Sequence, residues 1–161
     1  MKDTRICFIG DSFVNGTGDE TILGWAGRLC VLAQRNGHDI TYYNLGIRRN
    51  TSTDILQRWH EIALRQPPDC DNRIVLSCGV NDTTLENEAL RVDFETSLLN
   101  MRALFGRMQS APGLLVGPPP VNDNAQNQRI QTLSNAMQIE AEKAGLRFIP
   151  LFDDLVKTKP I

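Results

Sequence analysis

Short apolar runs alternate with longer amphipathic segments along this chain, and that alternation restricts its possible folds more than any other feature. The runs at 4–9, 39–44, 73–77, 114–116 and 146–151 predict five strands. Apolar residues at helical spacing predict helices at 24–36, from 52 or 53 to 65, at 92–109 and at 129–143. Alternating strands and helices are typical of parallel βαβ units. We therefore expect an α/β fold, a three-layer α/β/α sandwich with a flavodoxin-like parallel five-stranded sheet.

The segment boundaries are predicted from local signals. Ser52 or Thr53 is predicted to cap the second helix, and Gly37 to end the first. The polar segment 122–128 is predicted to be a loop, and Asp153 and Asp154 to end the fifth strand. The sequence shows no internal repeat and no linker, so residues 1–161 are predicted to form a single domain.

Composition excludes several classes of partner. The net charge of −2 gives no basic footprint for nucleic acid or an anionic membrane. No run approaches the roughly 20 apolar residues that span a bilayer, and we expect a cytoplasmic protein. The four cysteines include no CxxC pair, which argues against a zinc site, and buried free thiols are expected. The sequence indicates no metal, and nothing in it predicts the oligomeric state.

Two polar motifs follow predicted strands one and three. Gly10-Asp11-Ser12 comes directly after the first strand, and Gly79-Val80-Asn81-Asp82 closes the third. Each motif alone is also typical of an ordinary turn. In a parallel sheet both strands end at the same edge, so Ser12 and Asn81 are expected to meet there. A serine hydroxyl can act as a nucleophile, and an asparagine amide can donate to a developing oxyanion. The first hypothesis is therefore a hydrolase.

Three blocks together resemble the SGNH (or GDSL) hydrolase family of esterases and lipases. These are Gly10-Asp11-Ser12-Phe13, the segment 44–52, and Gly79-Val80-Asn81-Asp82. The resemblance implies that Ser12 is the nucleophile of a serine esterase acting on a small-molecule ester, with no cofactor. It also implies three oxyanion-hole donors, namely the backbone N–H groups of Ser12 and Arg49 and the side chain of Asn81. The implied supporting residues are Asp11, Gly46, Gly79 and Asp82.

The sequence departs from the family pattern at two places. Arg49 stands where the family usually has a glycine; it can donate its N–H at negative φ, whereas a left-handed geometry would be strained. Arg48 and Arg49 either face solvent or contact an anionic part of the substrate.

The second departure is the lack of the family's late Asp-x-x-His motif. His38 is predicted at the wrong edge of the sheet, and His60 about 10 Å along the second helix from its rim end. We expect the acid, the base and a closing helix to lie beyond Ile161; the alternative is an impaired site.

Two rival functions remain. One is a binding module that keeps the oxyanion pocket without its base. The other is a flavodoxin-like nucleotide or phosphate binder that uses the glycine-rich segment 10–18. That segment has neither the G-x-x-x-x-G-K-[ST] nor the G-x-G-x-x-G spacing, which argues against the second rival.

Overall fold

A computed structural model describes residues 3–158 as a parallel sheet with helices on both faces. The strands are β1 (Thr4–Gly10), β2 (Ile40–Gly46), β3 (Asp71–Ser77), β4 (Leu85–Glu86), β5 (Ala89–Leu90), β6 (Gly113–Val116) and β7 (Arg147–Ile149). The helices are α1 (Ser12–Asn15), α2 (Gly24–Arg35), α3 (Ser52–Gln57), α4 (His60–Ala63), α5 (Phe94–Met108), α6 (Asn124–Lys143) and α7 (Phe152–Lys157). The main sheet has the order β2-β1-β3-β6-β7, and β4 pairs with β5 in a separate hairpin. The predicted five-stranded α/β fold is confirmed.

Alternation along β1 divides the core between the two faces of the sheet. Cys7 and Ile9 pack with residues of α3, α5 and α6 on one face. Phe8 points to the other face, towards α2, and its ring lies edge-on at 5.6 Å from Trp25 and 5.4 Å from Tyr42. Since successive side chains of a strand point to opposite faces, one short apolar run supplies both layers of the core.

Three neighbouring strands, β2, β1 and β3, end at the same level. Gly10 of β1 pairs in register with Gly46 of β2 and with Ser77 of β3. The loops after these strands therefore meet at one edge, which we call the carboxyl edge. This is the edge where ligands bind in open α/β sheets.

The second helix was predicted to be continuous and to be capped by Ser52 or Thr53, and both predictions are wrong. The segment breaks into α3 and α4 around Arg58 and Trp59. Thr51, rather than Ser52 or Thr53, caps α3, because its hydroxyl accepts the backbone N–H of Asp54 while the Asp54 carboxylate accepts the N–H of Thr51. This capping box satisfies two N–H groups at once.

The third helix, α5, begins at Phe94, two residues later than predicted, because Asp93 caps it. The predicted loop 122–128 is also wrong over most of its length, because α6 begins at Asn124. The Asp123 carboxylate accepts the backbone N–H of Gln126, and this cap allows a polar sequence to start the helix early.

The end of the described chain also differs from the prediction. Asp153 and Asp154 lie in the first turn of α7 and do not end a strand, since β7 stops at Ile149. Carboxylates are favoured in a first helical turn by the helix dipole. Neither α1 nor the β4–β5 hairpin is predicted. Ile161, beyond which the acid and base are expected, lies outside the described residues.

The four cysteines are free, and Cys7, Cys30 and Cys78 are buried. Within residues 3–158, no helix is long and apolar enough to cross a membrane.

Candidate active site

Ser12 is the first residue of α1, directly beyond the carboxyl end of β1. Asp11 caps this helical turn, with its Oδ1 accepting the backbone N–H of Phe13 at 2.9 Å. The turn ends at Gly16 in a left-handed conformation, φ 85°. Ser12 itself is half-buried and lies at the carboxyl edge of the sheet.

Two glycines allow close backbone contacts at this edge, Gly46 with α1 and Gly10 with β3. A Cβ on Gly46 would be 2.2 Å from the backbone nitrogen of Asn15, and one on Gly10 would be 2.1 Å from the carbonyl oxygen of Ser77. No side chain fits at either position without moving backbone. The position of Ser12 therefore depends on Gly46, which packs against α1, as well as on its own turn.

In the folded chain, Asn81 of the third block contacts both the first and the second block. It follows Gly79, whose φ of 114° turns the chain after β3. Its Nδ2 donates to the backbone oxygen of Asn50 at 2.9 Å and to Oδ2 of Asp11 at 3.3 Å. The structure thus brings Asn81 into contact with the residue before Ser12 and with the residue after Arg49.

Arg49 adopts the left-handed conformation, with φ 71°. The backbone N–H of Asn50 closes the turn by donating to the oxygen of Ile47 at 3.1 Å. The Arg49 side chain forms an ion pair with Glu86 at 2.6 Å, so it is engaged with the protein itself, while Arg48 is exposed. Within the described part of the chain, the backbone N–H groups of Ser12 and Arg49 have no hydrogen-bond acceptor.

Two buried carboxyl groups lie beneath these loops. Burial raises the pKa of Asp11 to about 6; the N–H of Phe13 lowers it and the charge of Asp82 raises it. Burial also raises the pKa of Asp82, against the hydrogen bonds from Ser52. Oδ1 of Asp82 accepts the backbone N–H of Ser52 at 2.8 Å, which joins the third block to the start of α3. Asp82 is therefore buried beneath the carboxyl edge and joins two of its loops.

Arg58 is a site residue that the sequence did not reveal. Its Nη2 donates to the carbonyl oxygens of Gly10 and Leu45, each at 2.8 Å, and its Nε donates to Oδ1 of Asn50 at 2.6 Å. One guanidinium therefore ties together the ends of β1 and β2 and the second block. No sequence pattern signals this role, because the residues concerned are eight to 48 positions from Arg58.

Neither histidine is at the carboxyl edge. His38 precedes β2, and it lines a depression with Thr4 and Arg73 at the opposite edge of the sheet, as predicted. His60 is the first residue of α4, beyond the far end of α3, and is exposed; it was predicted to lie within one continuous helix.

Asp153 accepts a hydrogen bond from Gln131 on α6 at 3.3 Å. Residues 3–158 also contain no cluster of three His, Cys, Asp or Glu side chains that could hold a metal ion.

Comparison with known proteins gives matches at the level of family and fold. The family model "GDSL-like Lipase/Acylhydrolase family" matches residues 8–160. Among solved structures, a lipase/acylhydrolase from Enterococcus faecalis is 22% identical with a TM-score of 0.81, covering 96% of this chain and 80% of that one. The SGNH-hydrolase family esterase AlinE4 is 21% identical with a TM-score of 0.78, covering 99% and 82%.

The acetylxylan esterase Axe2 from Geobacillus stearothermophilus is 19% identical with a TM-score of 0.76, covering 99% of this chain and 84% of that one. No match was found among proteins with curated descriptions. The structural matches share the fold, and the family model covers nearly the whole sequence, including all three blocks at the carboxyl edge. The chain therefore belongs to the GDSL-like lipase/acylhydrolase family, whose members are hydrolases that act on esters.

Proposed function

We propose that this protein hydrolyses a carboxylic ester by way of an acyl-enzyme on Ser12. The observation that carries the proposal is the meeting of three blocks at the carboxyl edge. Ser12 starts α1 there, and the side chain of Asn81 contacts both Asp11 and Asn50, at 3.3 and 2.9 Å. A hydroxyl nucleophile and oxyanion donors within one small region are the requirements of acyl transfer.

In the first step, Oγ of Ser12 attacks the ester carbonyl carbon and gives its proton to a base. The tetrahedral intermediate then expels the alcohol, which takes that proton, and the acyl group stays on Ser12. Water attacks the acyl-enzyme in the same way, releasing the carboxylic acid and restoring the hydroxyl.

The oxyanion of each intermediate is proposed to bind three donors. Two are the backbone N–H groups of Ser12 and Arg49, which have no acceptor among residues 3–158. The third is Nδ2 of Asn81. Its hydrogen bond to Asp11 is longer than its hydrogen bond to Asn50, and we propose that the oxyanion replaces Asp11 as the acceptor. These donors stabilise charge that develops only in the transition state, so they should act on kcat more than on KM.

The base is not assigned among the residues described, because both histidines lie away from the carboxyl edge. That placement of the histidines also favours one alternative, a binding module that retains the oxyanion pocket and does not turn over. The two functions differ in a single observable, covalent acylation of Ser12.

The direct test is to incubate the protein with p-nitrophenyl acetate and to measure release of nitrophenol and acetylation of the peptide that contains Ser12. We expect Ser12→Ala to lower kcat/KM by about 10³-fold or more and to abolish the acetylated peptide. Ser110→Ala is the matched control, because Ser110 is exposed and lies near the opposite edge. Turnover that survives Ser12→Ala would remove the proposal, and an unreactive wild type would favour the binding module.

Asn81→Ala should lower kcat by about 10²- to 10³-fold with a much smaller change in KM. An effect confined to KM would mean that Asn81 is not part of the oxyanion hole.

Two finer features belong to the same proposal. The substrate is proposed to be a small or medium acyl ester. A cytoplasmic location is supported by the four free cysteines, since thiols stay reduced there.

A further inference from the structure

We propose that Arg91, together with Glu86, is a positioning residue that holds Arg49 in its left-handed conformation and so directs the Arg49 backbone N–H towards the substrate oxyanion. The inference rests on the proposed function, since it gives that N–H an oxyanion to bind. It concerns this chain's own replacement of glycine by arginine in the second block.

The left-handed conformation of Arg49 needs an explanation. At φ 71° the Cβ of an L-residue is crowded against its own backbone, whereas glycine adopts this conformation without penalty. An exposed loop arginine that nothing restrained would relax to negative φ. The surrounding contacts must therefore stabilise this conformation of Arg49.

Arg91 contacts the backbone of Arg49. Its Nη1 donates to the carbonyl oxygen of Arg49 at 2.9 Å, and its Nε lies 3.4 Å from Oε2 of Glu86. The other carboxylate oxygen of Glu86 accepts Nη2 of Arg49 at 2.6 Å. The Arg91 side chain is only 16% exposed while that of Arg49 is 64% exposed, so Arg91 is the fixed member of the group.

These contacts fix the peptide that follows Arg49 at both ends. Its oxygen is held by Arg91, and its N–H, that of Asn50, donates to the oxygen of Ile47 at 3.1 Å. With that peptide fixed, the φ angle of Arg49 decides where the N–H of Arg49 points. Release of the carbonyl by Arg91 would allow φ to change and the N–H to turn away.

The hairpin formed by β4 and β5 gives Arg91 its position. Asn87 and Glu88 have φ of 51° and 65° between the paired residues Glu86 and Ala89, which is the two-residue turn that matches strand twist. The backbone N–H of Arg91 then donates to the oxygen of Thr84 at 3.0 Å. Arg91 is thus anchored to the segment directly after the third block, while its side chain reaches the second block.

The test compares Arg91→Met in two backgrounds, wild type and Arg49→Gly. Methionine keeps the length of the side chain and loses every donor, and glycine at 49 needs no support at positive φ. In the wild-type background we expect kcat for p-nitrophenyl acetate to fall about tenfold with KM within about twofold. In the Arg49→Gly background the same substitution should change kcat by less than about twofold.

A second measurement does not depend on turnover. The three-bond coupling between the amide and α protons of Arg49, with its carbon chemical shifts, reports φ in solution by NMR. We expect a left-handed signature in the wild type and its loss in Arg91→Met, with a smaller change in Glu86→Gln. Arg102→Met is the matched control, because Arg102 pairs with Glu140 between α5 and α6, away from the site.

Each outcome decides the inference. A φ at residue 49 that is unchanged in Arg91→Met would overturn it, as would an equal loss of kcat in both backgrounds. If Ser12→Ala does not affect turnover, the proposed function fails, and the coupling measurement still decides whether Arg91 holds Arg49.

Discussion

Replacing Arg58 with methionine would test whether one guanidinium holds the loops of the site together. The side chain is 11% exposed and donates to the carbonyls of Gly10 and Leu45 and to the amide oxygen of Asn50. Burial lowers the pKa of Arg58, because desolvation disfavours its charged form, whereas Glu61 raises it. Arg58 also forms a long ion pair with Glu61, at 3.4 Å, to which we assign little energy. At about 1 kcal/mol for each of the other three hydrogen bonds, we expect the free energy of unfolding to fall by about 3 kcal/mol.

The assay is urea unfolding followed by circular dichroism, with Arg107→Met as the matched control. Arg107 also donates to a backbone carbonyl, that of Leu56 at 2.8 Å, but it is exposed. We expect the control to cost less than about 1 kcal/mol, because water replaces an exposed hydrogen bond. An equal loss of unfolding free energy in the two variants would refute the claim that Arg58 contributes more because it is buried and has more acceptors.

Three further predictions follow from the site. Gly46→Ala should destabilise the protein by about 1–3 kcal/mol in urea unfolding and lower turnover, because the added Cβ would clash with the backbone of α1. Gly106→Ala is the control and should not destabilise the protein, because its added Cβ would have no neighbour within 4 Å. Thr51→Ala should cost about 1 kcal/mol through loss of the capping box, and a cost near zero would contradict that role. Because the pKa of Asp11 is raised from 3.8 to about 6, its contribution to stability is full below pH 3.8 and is lost as the pH rises through 6. The stability of Asp11→Asn relative to wild type should therefore rise by up to about 3 kcal/mol between pH 4 and 7, and a flat difference would disprove it.

Local sequence patterns predicted the elements that bury apolar residues. The apolar run that contains Cys7, Phe8 and Ile9 predicted β1, because a strand that is buried on both faces consists of consecutive apolar residues. The patterns failed where a few polar contacts decide the structure. The start of α6 depends on the Asp123 cap, and the hairpin turn at Asn87 lacks the usual Asn-Gly signal.

The sequence by itself determined the five strands of the main sheet and the helical connections between them, and with these the shared carboxyl edge that brings Ser12 close to Asn81. This follows because parallel strands joined by crossover helices must end on the same side of the sheet. Only the tertiary structure decided how that edge is held. The bonds of Arg58 to Gly10 and of Arg91 to Arg49 join residues that are 48 and 42 positions apart. Such bonds depend on where folding places each carbonyl oxygen, and a linear pattern of residue types carries no record of that.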